Sequence, residues 1–259
     1  MYIPESIYPY IKNKSFTLDT KGKSGATILM FPDMVLKIED DTEEVDRDEV
    51  MASWLSGHLN VPSTIISVKE KGKKYRLMER IEGEDLSSPK LLSMPKKIVD
   101  IVSKSLLSFW SLDISSCPEK RSLDIVLKEA EERVENNLVD SDAPIFKDIH
   151  FSSPYVLLKW LKENKVDEEG CFSHGDFCLP NILVSEEGSV GFIDLSRSGV
   201  GDKWNDIALI YRSLEMNYKG YYNGGVPYSG YDSSMLFDAL GIKEDKERIR
   251  YFILLDELF

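Results

Sequence analysis

Over about the first 80 residues the pattern of apolar and polar positions reads as β-rich with one helix, and after that it is mostly helical. Residues 16–18 and 27–31 read as strands around a Gly/Ser/Lys turn, and residues 34–38 as a short buried strand. Residues 61–68 and 75–79 read as a further pair flanking the lysine-rich stretch 69–74, a solvated hairpin turn. A helix is predicted between these groups. Asp41 or Thr42 caps it, Glu43 and Glu44 suit its first turn, and Val45, Met51, Ala52, Leu55 and Leu59 form its apolar stripe. Asp48 falls on that stripe. A buried carboxylate needs a partner, and Lys37 on the preceding strand is the candidate; the alternative is a wet position at the stripe's edge. After residues 81–85 the pattern turns helical, with amphipathic segments at 91–112, 122–138, 154–163, 207–214, 233–240 and 247–258. The expected fold class is α+β, as two lobes with a cleft between them: a β-rich N-terminal lobe over residues 1–81 and a mainly helical C-terminal lobe over 82–259.

The candidate chemistry lies where the helical pattern is interrupted. His174-Gly-Asp-Phe-Cys-Leu-Pro-Asn181 is followed by two apolar stretches and then Asp194. Residues 181–194 read as a β-hairpin turning at Glu187-Gly188. A loop symmetric about that pair sets Asn181 opposite Asp194, with Cβ atoms about 5 Å apart. Two oxygen donors at that separation can share magnesium. Asp176, in a turn with Gly175 and Pro180, can face the same space. One carboxylate to meet a hydroxyl proton, with an amide oxygen and a second carboxylate for magnesium, suits phosphoryl transfer.

Composition narrows the partners. The chain has 259 residues, is 42% hydrophobic and carries a formal net charge of −13. An acidic surface repels phosphate backbones, which disfavours nucleic acid, and attracts a polycation. No apolar run approaches the ~20 residues that cross a bilayer, and residues 1–10 lack the order of a secretory signal, so no membrane association is expected. Three cysteines fit a reducing cytoplasm better than a disulfide framework. No long exposed heptad or apolar stripe is evident, and a monomer is expected.

These segments, with residues 191–199, 202–208 and the terminal Leu254-Leu-Asp-Glu-Leu-Phe259, resemble the aminoglycoside phosphotransferase family, most of all its 3′-hydroxyl group. Matching segments run from Gly22 to the last residue. The resemblance implies a protein-kinase-like bilobal fold, ATP or GTP with Mg2+, and a cationic aminoglycoside such as kanamycin as substrate. It implies Asp176 as the catalytic carboxylate and Asn181 and Asp194 as magnesium ligands. Lys37 would contact the α and β phosphates, with Asp48 holding it. Ser24, Gly25 and Ala26 would belong to the loop over the phosphates, and Glu79 to Ile81 would meet the purine. Arg197 and Arg212 match family arginines near the site, and Asp206 would anchor the catalytic loop. Asp256, Glu257 and the carboxylate of Phe259 would bind substrate ammonium groups, and Asp140 and Asp142 could add to them. The chain departs from the family pattern at Val35, where many relatives stack an aromatic on the purine, at Met216, where an acid is usual, and at Asp48, which replaces Glu. A kinase for another small hydroxylated metabolite, or a nucleotide-binding pseudokinase, is the alternative reading.

Overall fold

The computed structural model describes residues 1–19, 25–147 and 151–259. The chain folds as two compact units, one of residues 1–84 with 181–197, the other of 85–180 with 198–259. In the first unit, helix α1 (Tyr8–Ile11) precedes β1 (Thr17–Asp19), β2 (Thr27–Met30) and β3 (Met34–Asp40); helix α2 (Glu43–Leu55) then leads to β4 (Thr64–Glu70) and β5 (Lys73–Glu79). The strands form one antiparallel sheet in the order β1-β2-β3-β5-β4. Alternation along β3 buries Met34, Leu36 and Ile38 in a core with Leu29, Phe31, Tyr75 and Leu77, which Ile7 and Ile11 join. The same period of two sends Lys37 and Glu39 together to the other face.

Thr42 caps α2 by accepting from the Val45 N–H, and acids fill the first turn as the sequence predicts. The solvated turn expected over 69–74 is shorter than that. Only Lys71 and Gly72 turn, both at positive φ (54° and 71°), the requirement of a two-residue type I′ hairpin. Lys69 and Lys74 are strand residues drawn to the acids of α2. Lys74, 3% exposed, lies 2.9 Å from Asp46 and 2.8 Å from Glu49.

The short β6 (Glu84–Asp85) straddles the unit boundary, and helices dominate from there: α3 (Pro89–Leu92), α4 (Pro95–Trp110), α5 (Leu123–Glu135) and α6 (Pro154–Glu163). The single segment expected over 91–112 is two helices. Pro95 cannot donate to a preceding turn, and it forces Met94 out of helical geometry (φ −123°, ψ 65°). β7 (Gly170–Ser173) follows. The chain then returns to the first unit through the hairpin β8 (Ile182–Val184) and β9 (Val190–Phe192). β10 (Gly199–Asp202) pairs antiparallel with β7, and α7 (Lys203–Tyr218), α8 (Ser234–Leu240) and α9 (Lys246–Asp256) complete the second unit.

The β8–β9 register differs from the expected one. Ile182 faces Phe192 and Val184 faces Val190, and the Ser185 N–H donates to Ser189 O. The loop is therefore the three residues Glu186-Glu187-Gly188, closed by Gly188 at φ 88°, rather than the pair Glu187-Gly188. Asn181 accordingly meets Ile193, whose N–H donates to its carbonyl at 3.1 Å, and Asp194 lies one residue beyond the pairing. Asp194 takes φ 60°, a left-handed backbone that costs a non-glycine residue energy and aims its side chain away from the strand direction.

Candidate functional site

In the first unit the site is built around Lys37. Its ammonium, on a side chain 11% exposed, lies 3.0 Å from Asp194 Oδ1 and 3.1 Å from Glu39 Oε1. Burial works against the lysine's charge, but the carboxylates of Asp194, Asp48 and Glu39 more than offset it and raise its pKa above the ordinary value. Burial pushes Glu39 upward, against the pull of Lys37.

The expected direct pair of Lys37 with Asp48 is not formed. Asp48 is buried, one of the two positions that its place on the stripe left open, but both its oxygens are taken. Oδ2 accepts from Arg76 Nη1 at 2.7 Å, and Oδ1 accepts from the Leu195 N–H at 2.8 Å. The β3–β5 register sets Arg76 directly opposite Lys37, so two cations face one short acid. The guanidinium, also bonded to Thr64 Oγ1 and Pro62 O, makes the contact. Asp48 still acts on Lys37 through space.

Helix α2 holds residues 195–197 at three points. Beside the Asp48–Leu195 bond, Arg47 Nε donates to Ser196 O at 3.2 Å, and Arg197 Nε lies 3.8 Å from Glu44 Oε1. Asp194 is thus fixed from behind while its side chain, 48% exposed, faces outward. With Oδ1 on Lys37, Oδ2 is left for a cation. Among the described residues no group of three or more His, Cys, Asp and Glu side chains converges as a metal cage would. Asp194 offers a hard carboxylate oxygen of the kind magnesium takes, and the Asn181 side chain, just before β8, carries an amide oxygen of the same kind.

Of the residues expected to meet nucleotide, Ser24 lies outside the described residues. Gly25 (φ 72°) and Ala26 lead into β2. Glu79 ends β5, its N–H on Ser63 O, and the Arg80 N–H is on Asp33 O. Ile81 packs on the hairpin: a Cβ on Gly191 would stand 2.4 Å from Ile81 Cγ2, and one on Gly83 would stand 2.5 Å from the Val184 carbonyl. Glycine at both positions lets the segment and the hairpin touch.

In the second unit Asp176 is half-buried in a loop organised by Asp206. That carboxylate, in the first turn of α7 and fully buried, accepts from Ser173 Oγ (3.0 Å), the His174 N–H (2.8 Å) and the Gly175 N–H (3.0 Å). Burial pushes Asp206 upward, and these donors pull it back. His174 lies buried among Phe109 and Phe177, and its Nδ1 accepts from the Asp176 N–H at 3.4 Å.

The C-terminal acids are held by arginines. Arg212 bonds Asp256 through Nη2 and Glu257 through Nη1. Burial raises Glu257, and Arg212 opposes this. Arg133, which sequence reasoning missed, donates to Leu258 O (2.9 Å) and Phe259 O (2.6 Å). Asp140 and Asp142 are exposed in one tight turn, Asp140 Oδ1 accepting from the Asp142 N–H. Arg76 and Glu39 also escaped the sequence reading. Spacing of two along one strand was the available sign for Glu39. Arg76 needed the strand register.

A model of the phosphotransferase enzyme family matches residues 15–226, so the chain is an enzyme of the phosphotransferase class. Aminoglycoside 3′-phosphotransferases of Enterococcus faecalis and Staphylococcus aureus are 36% and 35% identical to it, over 100% of this chain and 99% of theirs. One from Niallia circulans is 38% identical over 82% of this chain and 78% of its own. The chain belongs to the aminoglycoside phosphotransferase family. Solved structures share its kinase-like α+β fold. A type VIII aminoglycoside 3′-phosphotransferase superposes with a TM-score of 0.82 at 21% identity, covering 98% of this chain and 97% of that one. An aminoglycoside phosphotransferase from Streptomyces rimosus, in complex with ADP and streptomycin, gives 0.74 at 21% identity, covering 97% and 95%.

Proposed function

We propose that the protein transfers the γ-phosphoryl group of ATP or GTP to a hydroxyl of an aminoglycoside antibiotic such as kanamycin, at the 3′ position, and so confers resistance. The observation that carries this reading is the Lys37–Asp194 ion pair on a backbone gripped by α2. It sets a buried cation for phosphates beside a carboxylate for magnesium. The full-length relatives at 35–36% identity, all named for the 3′ reaction, support the regiochemistry.

Lys37 neutralises the α and β phosphates in this scheme. Asn181 and Asp194 hold Mg2+, which screens the charge of the phosphate chain when bound. Gly25 and Ala26 border the phosphates, and Glu79 to Ile81 border the purine. Asp176 orients the acceptor hydroxyl and takes its proton late. The acids of the second unit meet the substrate's ammonium groups: Asp256, Glu257 and the Phe259 carboxylate, with Asp140 and Asp142 adding to them. Each exposed pair contributes only about 0.2–1 kcal/mol, so affinity comes from several together. Arg212 and Arg133 hold the C-terminal acids in place for this, and Arg197 stays beside the phosphate machinery. A monomer in the cytoplasm, without nucleic-acid or membrane partners, completes the proposal; a net charge of −13 disfavours nucleic acid because it repels phosphate backbones.

The test is release of nucleoside diphosphate from Mg-ATP or Mg-GTP in the presence of kanamycin-like compounds, choline and amino sugars, with the product's phosphorylated carbon assigned by NMR. Stimulation by aminoglycosides with phosphate on the 3′ oxygen is expected. Stimulation by choline or amino sugars alone would move the chain to another small-molecule kinase, and no stimulation at all would sink the reading.

A further inference from the structure

In a protein kinase one acid on the helix after the lysine strand orients that lysine. In this chain the acid at that place, Asp48, is fully occupied elsewhere. Its two oxygens hold Arg76 and the Leu195 N–H, at 2.7 and 2.8 Å. Lys37 has another carboxylate in its own strand. Glu39, two residues on and therefore on the same face, lies 3.1 Å from the ammonium. The side chains of Lys37 and Glu39 are 11% and 15% exposed, so their contact is shielded from water. Arg76 and Asp48 are more deeply buried still. Cross-strand register explains the arrangement. Lys37 opposes Arg76, a like-charge pair that needs an acid on each member, and the sheet and helix supply one each.

We propose that the two duties of the helix acid are divided here: Glu39 orients the Lys37 ammonium, and the Arg76–Asp48 pair positions the backbone that presents Asp194. Both are positioning residues acting through others, Glu39 through Lys37 and Arg76 through Asp48. The division follows from length and reach. Asp48, with one methylene fewer than Glu, stops at the guanidinium and at the amide next to Asp194. The left-handed backbone of Asp194 (φ 60°) then needs a fixed neighbour, and the Asp48–Leu195 bond provides it. The proposal rests on the phosphotransferase reading of Lys37 and Asp194.

The test compares full-length wild type, Glu39→Gln, Glu39→Asp, Asp48→Asn and Arg76→Lys. Binding of Mg-ATP is titrated by calorimetry without acceptor, at saturating and at limiting free magnesium, and each variant's Tm is recorded. Glu39→Gln, an isosteric change at a nearly buried site, is expected to weaken nucleotide binding about tenfold at every magnesium level, the order of one charge-assisted hydrogen bond. Its Tm should stay near wild type, and Glu39→Asp should recover part of the loss. Asp48→Asn and Arg76→Lys should lower Tm and raise the magnesium needed for half-maximal binding, and Arg76→Lys, which keeps every charge, should hold affinity at saturating magnesium within about twofold of wild type. Unchanged nucleotide affinity in Glu39→Gln would overturn the proposal, even if neither pair variant folds. So would a loss of affinity at saturating magnesium in a folded Arg76→Lys. Wild type that binds Mg-ATP yet phosphorylates no aminoglycoside would sink the substrate reading alone and leave this test intact.

Discussion

At the scale of single residues, Asp176 and Asp206 are separable by experiment. Asp176→Asn keeps the shape of the side chain and removes the proton acceptor. It should lower kcat by roughly 10²–10⁴-fold while nucleotide still binds, measured by single-turnover phosphorylation and by calorimetry. Asp206→Ala should act on stability. It strands Ser173 Oγ and the N–H groups of His174 and Gly175, three donors that lose their acceptor in a buried place. Each costs about 1–3 kcal/mol, so denaturant unfolding should show a loss of roughly 3 kcal/mol or more. Much of this was legible in the sequence. The spacing of Asp176, Asn181 and Asp194 pointed to phosphoryl transfer, and the apolar stripe left Asp48 either buried or wet at its edge. The partner of Asp48 was not legible, because which cation lies nearest depends on a register between strands some forty residues apart. The register of the hairpin was misjudged for a local reason. Gly188 at φ 88° allows a three-residue loop as readily as a two-residue one.

Among elements, the joint between α2 and the β4–β5 hairpin is one that pH should reach. Hydrogen bonds from Lys69 and Lys74 hold Asp46 below the usual carboxylate range. At Glu49 burial pushes upward, and bonds from Lys74 and Ser67 more than offset it. Acids depressed in the folded state stabilise it above the ordinary carboxylate pKa, near 4, and lose that contribution as pH falls through their lowered values. Melting curves between pH 7 and 3 should therefore show Tm falling below about pH 4. Lys74→Met should lower Tm at pH 7 by roughly 2–4 °C per kcal/mol lost and flatten that acid limb. A limb of unchanged depth in the variant would place the acid sensitivity elsewhere. The elements themselves were foreseeable wherever chemistry was local. Thr42 and its acids announced α2, and alternation announced β3. The break before Pro95 is equally written in the chain, although the apolar stripe runs on across it.

For the molecule as a whole, a net charge of −13 attracts a polycation from a distance. Rising salt should raise the KM for aminoglycoside steeply over the range in which the Debye length shrinks from about 30 to 8 Å, and leave kcat nearly flat. Steady-state kinetics at several potassium chloride concentrations would check this, and a KM independent of salt would assign affinity to shape rather than charge.

The discontinuity of the first unit bears on how the protein is born. Residues 1–84 leave the ribosome without residues 181–197, and Asp48 waits for an amide 147 positions later in the chain. At about 5–20 residues per second that delay lasts roughly 7–30 seconds, during which Asp48 has Arg76 but not the Leu195 amide and the flanks of Gly83 lie bare. Chains stalled before residue 197 should accordingly bind a holding chaperone more than chains stalled well past it. Pulse proteolysis of stalled chains should find the N-terminal segment protected only once the stall point lies well past residue 197.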